Sequence, residues 1–210
     1  MILIWLQTFK TESSLASHTV YMPTKTGNVS LPVFLWGNGG CSADGTSNVE
    51  LLQQIASYGY LVIASGGPKQ SGTTTAKMMT DSIDWVIQNA GKGAYADVDS
   101  KKIMVAGYSC GGIEAYAQSW DSRVATVGIF SSGFLTNYTA ASTFTNPILY
   151  VLGGTSDIAY QNVSPTYQSC PVVVIAVAHA VAVGRERLQG PSRQYSILER
   201  EPECRPRRYV

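Results

Sequence analysis

The chain has 210 residues, a formal net charge of +1 and 14% charged residues. That length suits one domain with a sizeable hydrophobic core, and the near-neutral balance excludes the basic field that draws proteins to nucleic acid or anionic membranes. No stretch reaches the ~18 uninterrupted apolar residues of a membrane span, and Cys41, Cys110, Cys170 and Cys204 show no zinc-ligand spacing.

The start, Met1 to Phe9, is apolar but lacks a basic n-region and a small-residue cleavage site, so residues 1–15 read as an N-terminal segment and at most a signal remnant. From about 16 to 160 short β-rich runs alternate with helical periods, the pattern of a mostly parallel sheet with helices on both faces, in a domain expected over 16–180. Strands are expected at His18–Tyr21, Pro32–Trp36, Tyr60–Ala64, Lys102–Ala106, Val124–Phe130 and Ile148–Leu152, with Pro171–Ala178 as a last strand. Several are apolar on both faces, as buried parallel strands are. Leu51, Leu52, Ile55 and Tyr58 recur at helical spacing after Thr46 and Ser47, either of which can cap the helix. A second helix runs through Ala76, Met79, Ile83, Val86, Ile87 and Ala90 and is ended by Gly91.

Residues 181–210 use a different vocabulary. The first 180 residues hold seven Lys and one Arg, the last thirty no Lys and seven Arg, with Pro191, Pro202 and Pro206 among them. This segment reads as an extended or disordered tail, the alternatives being a docking tail for an anionic partner or the product of an altered reading frame.

The chemistry-bearing pattern is Gly107-Tyr108-Ser109-Cys110-Gly111, a G-x-S-x-G match that directly follows an expected strand and precedes the helix-compatible run Gly112-Ile113-Glu114-Ala115. Strand, sharp turn and helix are what a nucleophile elbow requires, with Ser109 exposed at the carboxyl end of the sheet. Upstream, strand Pro32–Trp36 runs into Gly37-Asn38-Gly39-Gly40-Cys41, where glycines let a backbone N–H approach a developing oxyanion. The expected donors are the N–H of Cys110 and one from Gly40 or Cys41. A phosphate loop is disfavoured, since neither G-x-G-x-x-G nor G-K-[ST] is present. If both donors face one oxygen, Cys41 and Cys110 lie close together, either as a disulfide or as two buried thiols.

A Ser nucleophile needs a base and an acid in the order Ser, Asp, His. Asp157, in the turn Gly153-Gly154-Thr155-Ser156-Asp157 beyond a strand end, is the expected acid. Asp121 precedes a strand and so sits at the wrong sheet end, and Glu114 lies inside the helix after the elbow. Of the two histidines, His18 precedes the nucleophile and reads as a packing or surface residue. His179 ends the apolar run Pro171–Ala178 and is the expected base.

On Leu35-Trp36-Gly37-Asn38-Gly39-Gly40-Cys41, Gly107-Tyr108-Ser109-Cys110-Gly111-Gly112 and Gly153-Gly154-Thr155-Ser156-Asp157-Ile158-Ala159-Tyr160, the chain resembles small fungal secreted α/β-hydrolases related to dienelactone hydrolase and to cutinase-like or polyester-degrading esterases. The similarity runs from His18 to Gln161. It departs from dienelactone hydrolases in having Ser109 where they carry a Cys nucleophile. It departs from the whole group after Gln161, where the usual Gly-His loop and closing helix are absent, so the C-terminal part reads as incomplete.

The resemblance implies an α/β-hydrolase fold and a secreted, monomeric carboxylic ester hydrolase that needs no cofactor and acts on a small-molecule or polymeric ester, while the span 132–146 between the strands ending near Phe130 and beginning near Ile148 leaves little room for a lid domain. Trp36, Tyr108 and Tyr160 are candidate walls of its open site, or core residues. Secretion would make the sequons at Asn28, Asn137 and Asn162 sites for glycans. The alternative expectation is a hydrolase-fold protein lacking its base, acting as a binding protein or standing as a defective gene product.

Overall fold

The computed structural model describes residues 7–24, 26, 29–133, 144, 146–153, 157–159 and 173–177. Eight strands form one sheet: β1 (Gln7–Lys10), β2 (His18–Pro23), β3 (Leu31–Gly37), β4 (Leu61–Ser65), β5 (Val98–Tyr108), β6 (Val124–Phe130), β7 (Ile148–Leu152) and β8 (Val173–Val177). Their spatial order is β1-β2-β4-β3-β5-β6-β7-β8. β2 is antiparallel to β1 and β4, and every pairing from β4 across to β8 is parallel. The chain is therefore an α/β protein with a mostly parallel sheet.

Three helices complete the described fold: α1 (Val49–Ser57), α2 (Ala76–Asn89) and α3 (Cys110–Tyr116). Successive strand residues point to opposite faces, and the core divides accordingly. Val33, Leu35, Leu61, Ile63, Ile103 and Val105 pack with Met79, Ile83 and Val86 of α2 and Ala115 and Tyr116 of α3. Phe34, Trp36, Val62, Ala64 and Ala106 pack with Leu52 and Ala56 of α1. Helices thus cover both faces, which is why the central strands read as unbroken apolar runs. No described helix is long and apolar enough to cross a membrane.

Three local expectations change. Gln7–Lys10 pairs with β2, and Leu15 is buried in the core, so residues 7–15 belong to the sheet domain rather than to a separate leading segment. α1 starts after Asn48 instead of being capped by Thr46 or Ser47, and it buries Leu52 and Ala56 while Leu51 and Tyr58 are exposed. In α2, Trp85 is buried, with its indole N–H on Ser14 Oγ at 2.8 Å, and Ile87 faces out. The tail 181–210 lies outside the described residues.

Parallel pairing brings one edge of the sheet into line. A row of register partners crosses it through Gly37, Gly107, Ile129, Tyr150 and Ile175. Each chain segment that continues past this row emerges at the carboxyl end of the sheet, where α/β folds form their clefts.

Candidate active site

Ser109 lies between β5 and α3 with φ 51° and ψ −114°. A non-glycine residue in this region costs on the order of 1–3 kcal/mol and persists only where neighbours over-determine it. Here the Ser109 N–H donates to Phe130 O at 3.0 Å, and its carbonyl accepts from the Gly112 N–H at 3.0 Å and from the Ser132 hydroxyl at 2.7 Å. The flanking glycines are required by contact. A Cβ on Gly107 would overlap the Gly111 carbonyl, one on Gly111 would overlap the Gly37 carbonyl group, and one on Gly112 would overlap the Ser132 side chain. Among the described residues, Ser109 Oγ has no hydrogen-bond partner.

Beyond β3, the chain makes a 3-10 turn at Gly39–Cys41, with Gly40 at φ 62° and Cys41 at φ 49°. Asn38 organises it. Its fully buried amide donates to the carbonyls of Ser42, Asp44 and Ser65, and its Oδ1 accepts from Trp36 Nε1 at 3.1 Å and Asn48 Nδ2 at 3.3 Å. The Asn38 carbonyl takes the Gly111 N–H at 3.0 Å, joining this loop to the turn at Ser109. Of the two states open to Cys41 and Cys110, the disulfide is the one present, with Cα atoms 5.2 Å apart. The N–H groups of Gly40 and Cys110 enter no backbone hydrogen bond among the described residues.

A second loop, between β4 and α2, supports the first. Thr74 N–H donates to Cys41 O at 2.7 Å, Ala43 N–H to Gly72 O at 3.1 Å and Gly45 N–H to Gly67 O at 3.0 Å. Tyr108 is half-exposed, its ring lying where a Cβ on Gly39 would come within 2.5 Å of it. Trp36, by contrast, is buried between Phe34 and Phe130 in the core.

Asp157 follows β7. Its Oδ2 accepts the Gly153 N–H and its Oδ1 the Ala159 N–H, both at 2.9 Å. Burial pushes this carboxyl up, but hydrogen bonds from the Gly153 N–H, the Ser131 hydroxyl and the Ala159 N–H outweigh it and hold the group below its ordinary value of 3.8. Ser131, two residues past the shared row in β6, has φ 42° and donates its N–H to Val151 O at 2.8 Å. The rival acids stand elsewhere. Asp121 precedes β6 and pairs with Arg123, which also reaches Asp84. Glu114 is buried on α3 with its Oε1 on the Thr74 hydroxyl.

β8 pairs with β7 through Leu152 and Val177, so the chain leaves β8 at the same sheet edge as Ser109 and Asp157. His179 and Tyr160 lie outside the described residues, as do Asn28, Asn137 and Asn162. His18 is buried, its Nε2 2.9 Å from Met78 O, and burial pulls its pKa below 6.5 against the opposing pull of the Met78 carbonyl and Asp81. It is a packing residue. Among the described residues no cluster of three or more His, Cys, Asp or Glu could hold a metal ion.

Sequence reasoning passed over Asn38, Thr74, Ser131 and Ser132. An Asn between a strand and glycines reads as a turn residue, and only its distant carbonyl partners reveal the clamp. Compared with known protein families and with curated proteins, the chain matches none.

Proposed function

We propose that the chain is a serine hydrolase of carboxylic esters built on an α/β-hydrolase fold, similar to the small secreted fungal esterases related to dienelactone hydrolase and cutinase. The observation that carries the reading is Ser109, a non-glycine residue held at φ 51° between strand and helix beside a Gly-rich loop cross-linked to the next residue. That combination of strained nucleophile turn and adjoining loop after β3 is the arrangement from which an elbow and its oxyanion hole are made.

In this reading Ser109 Oγ attacks the ester carbonyl, His179 takes its proton and returns it to the leaving alcohol, and Asp157 orients the imidazole and stabilises its charged form. The N–H of Cys110 and that of Gly40 or Cys41 stabilise the tetrahedral oxyanion, each donor contributing ~3 kcal/mol to the transition state. Water then attacks the acyl-Ser109, with the imidazole acting again as base. The hydrogen bonds on Asp157 support its role, since they keep it ionised beside an imidazolium.

In this reading the site is open, with Tyr108 as a wall, and the short span between the end of β6 at Phe130 and the start of β7 at Ile148 supports a site without a lid domain. Secretion fits a disulfide that reducing cytosol would not maintain. The test is labelling by a fluorophosphonate probe together with hydrolysis of a short p-nitrophenyl ester by wild type and Ser109→Ala. Labelling and turnover that vanish in the variant are expected. Correctly folded wild type that neither labels nor turns over removes the esterase reading and leaves a binding role. Turnover unchanged in His179→Ala would mean that another group is the base.

A further inference from the structure

Among the acidic side chains described, Glu114 alone is buried, at 5% exposure, and the esterase mechanism makes no use of it. It stands on α3, five positions after Ser109. Its Oε1 accepts the Thr74 hydroxyl at 2.7 Å, and its Oε2 has no hydrogen-bond partner among the described residues. A Cβ on Gly37 would come 3.0 Å from Oε2, so the carboxyl lies against the backbone where β3 enters the Gly-rich loop. An apolar side chain of similar length would fill this space without the cost of burying a carboxyl. The polar contact with Thr74 is what the carboxyl adds.

That contact leads to the oxyanion donors. Thr74 gives its own N–H to Cys41 O at 2.7 Å, and the other side of the same peptide, the Ser42 N–H, donates to Gly39 O at 3.2 Å. The Gly39 carbonyl belongs to the peptide that carries the Gly40 N–H. Cys41 is in turn bonded through sulfur to Cys110, the first residue of the helix that bears Glu114. Glu114, Thr74, Cys41 and Cys110 therefore close a ring. A disulfide holds two Cα atoms near each other but leaves the peptide planes free to turn, and the hydrogen bonds of the ring fix those planes.

We propose that Glu114 is a positioning residue which, through Thr74, fixes the orientation of the Gly40 N–H relative to that of Cys110. As a statement about catalysis this rests on the ester-hydrolase reading. The hold on the loop can be measured without turnover.

The experiment compares wild type, Glu114→Ala, Glu114→Gln and Thr74→Val by amide hydrogen exchange and by p-nitrophenyl ester kinetics. Glu114→Ala and Thr74→Val are expected to speed exchange in residues 37–45 and 66–75 about tenfold while leaving α1 and β6 as in wild type. They should lower kcat by about tenfold or more with KM nearly constant, because misplaced donors weaken the transition state and not the ground state. Glu114→Gln, which keeps an oxygen for the Thr74 hydroxyl, should restore slow exchange and most of kcat.

Unchanged loop exchange in both Glu114→Ala and Thr74→Val overturns the proposal. So does fast exchange with wild-type kcat. If Glu114→Ala does not fold, Thr74→Val decides both readouts, since it keeps the packing and removes only the hydroxyl. Wild type without turnover refutes the esterase reading alone, and the exchange data still decide whether Glu114 holds the loop.

Discussion

Cys41 and Cys110 are joined across 69 positions of chain, linking the loop after β3 to the first residue of α3. The two residues also bear candidate oxyanion donors, so one covalent bond serves both fold and site. In the chain-entropy account, a loop of this length removes about 4 kcal/mol of unfolded-state freedom. Replacing both cysteines by Ser is expected to lower the unfolding free energy in urea by about 2–4 kcal/mol. A drop below about 1 kcal/mol would show that hydrogen bonds already hold the loop as firmly.

Two glycines on either side of that bond should respond oppositely to the same change. A Cβ on Gly111 would overlap backbone of Gly37, and backbone on both sides cannot yield. Gly111→Ala is expected to cost about 3 kcal/mol or more. Gly40 faces open space at φ 62°, so Gly40→Ala should cost only the left-handed penalty, about 1–2 kcal/mol. Thermal unfolding of the two variants checks the order, and equal losses would contradict the close approach of β3 and α3.

The tight turn between β5 and α3 is the part most legible in the sequence, because close contact at Gly107, Gly111 and Gly112 admits few residues and leaves a compact pattern. The central strands are legible for a related reason: burial on both faces allows little besides apolar side chains. β1 escapes notice because Gln7, Thr8 and Lys10 give an edge strand no apolar run. Leu51 and Leu52 are adjacent, so the helical period fits with either of them inward, and only packing on the sheet selects Leu52. Trp36 shares a face with Phe34, two residues away, which marks it as core once that face is known to be covered by α1. Asn38 is illegible locally, because its partners include Ser65, twenty-seven positions away.

Asn38 offers a sharp electrostatic test. Its amide nitrogen faces three carbonyl oxygens. Asn38→Ala removes the donor to the buried Ser65 carbonyl and the acceptor of the buried Trp36 indole N–H, and is expected to cost about 2–4 kcal/mol. Asn38→Asp should cost more, since it turns an acceptor toward acceptors and adds a buried charge. The gap between the two variants should widen as pH rises and the new carboxyl ionises. Urea titrations at pH 4.5 and pH 7.5 read this, and an Asp variant as stable as the Ala variant at both would dismiss the proposed donor pattern.

His18 and Glu114 impose opposite pH dependences. Burial holds the folded His18 pKa below 6.5, so as pH falls through 6.5 the unfolded chain takes a proton that the folded one refuses, and stability drops. Burial raises the Glu114 pKa above its ordinary 4.5, against the weaker effect of the Thr74 hydroxyl. The folded state therefore keeps a proton that the unfolded chain releases, and stability drops as pH rises through that window. His18→Gln should flatten the acid-side loss near pH 6, and Glu114→Gln the loss that begins above 4.5. Unchanged slopes in the two variants would assign the pH dependence to other groups.

Asp157→Asn separates a catalytic acid from a turn residue. Its two carboxylate oxygens each accept a backbone N–H, and an amide can replace only one of them. As a turn residue alone, Asp157 should yield a stability loss of about 1–2 kcal/mol and little else. As the triad acid, the same substitution should also lower kcat by about 10⁴, because the imidazole loses its orienting charge. The pH profile adds a second constraint. The carboxyl is held below its ordinary value of 3.8 by hydrogen bonds that outweigh its burial, so in the triad reading the acid limb of kcat/KM belongs to the base and not to Asp157. Turnover within tenfold of wild type would leave Asp157 as a structural residue and require another carboxylate beside the base.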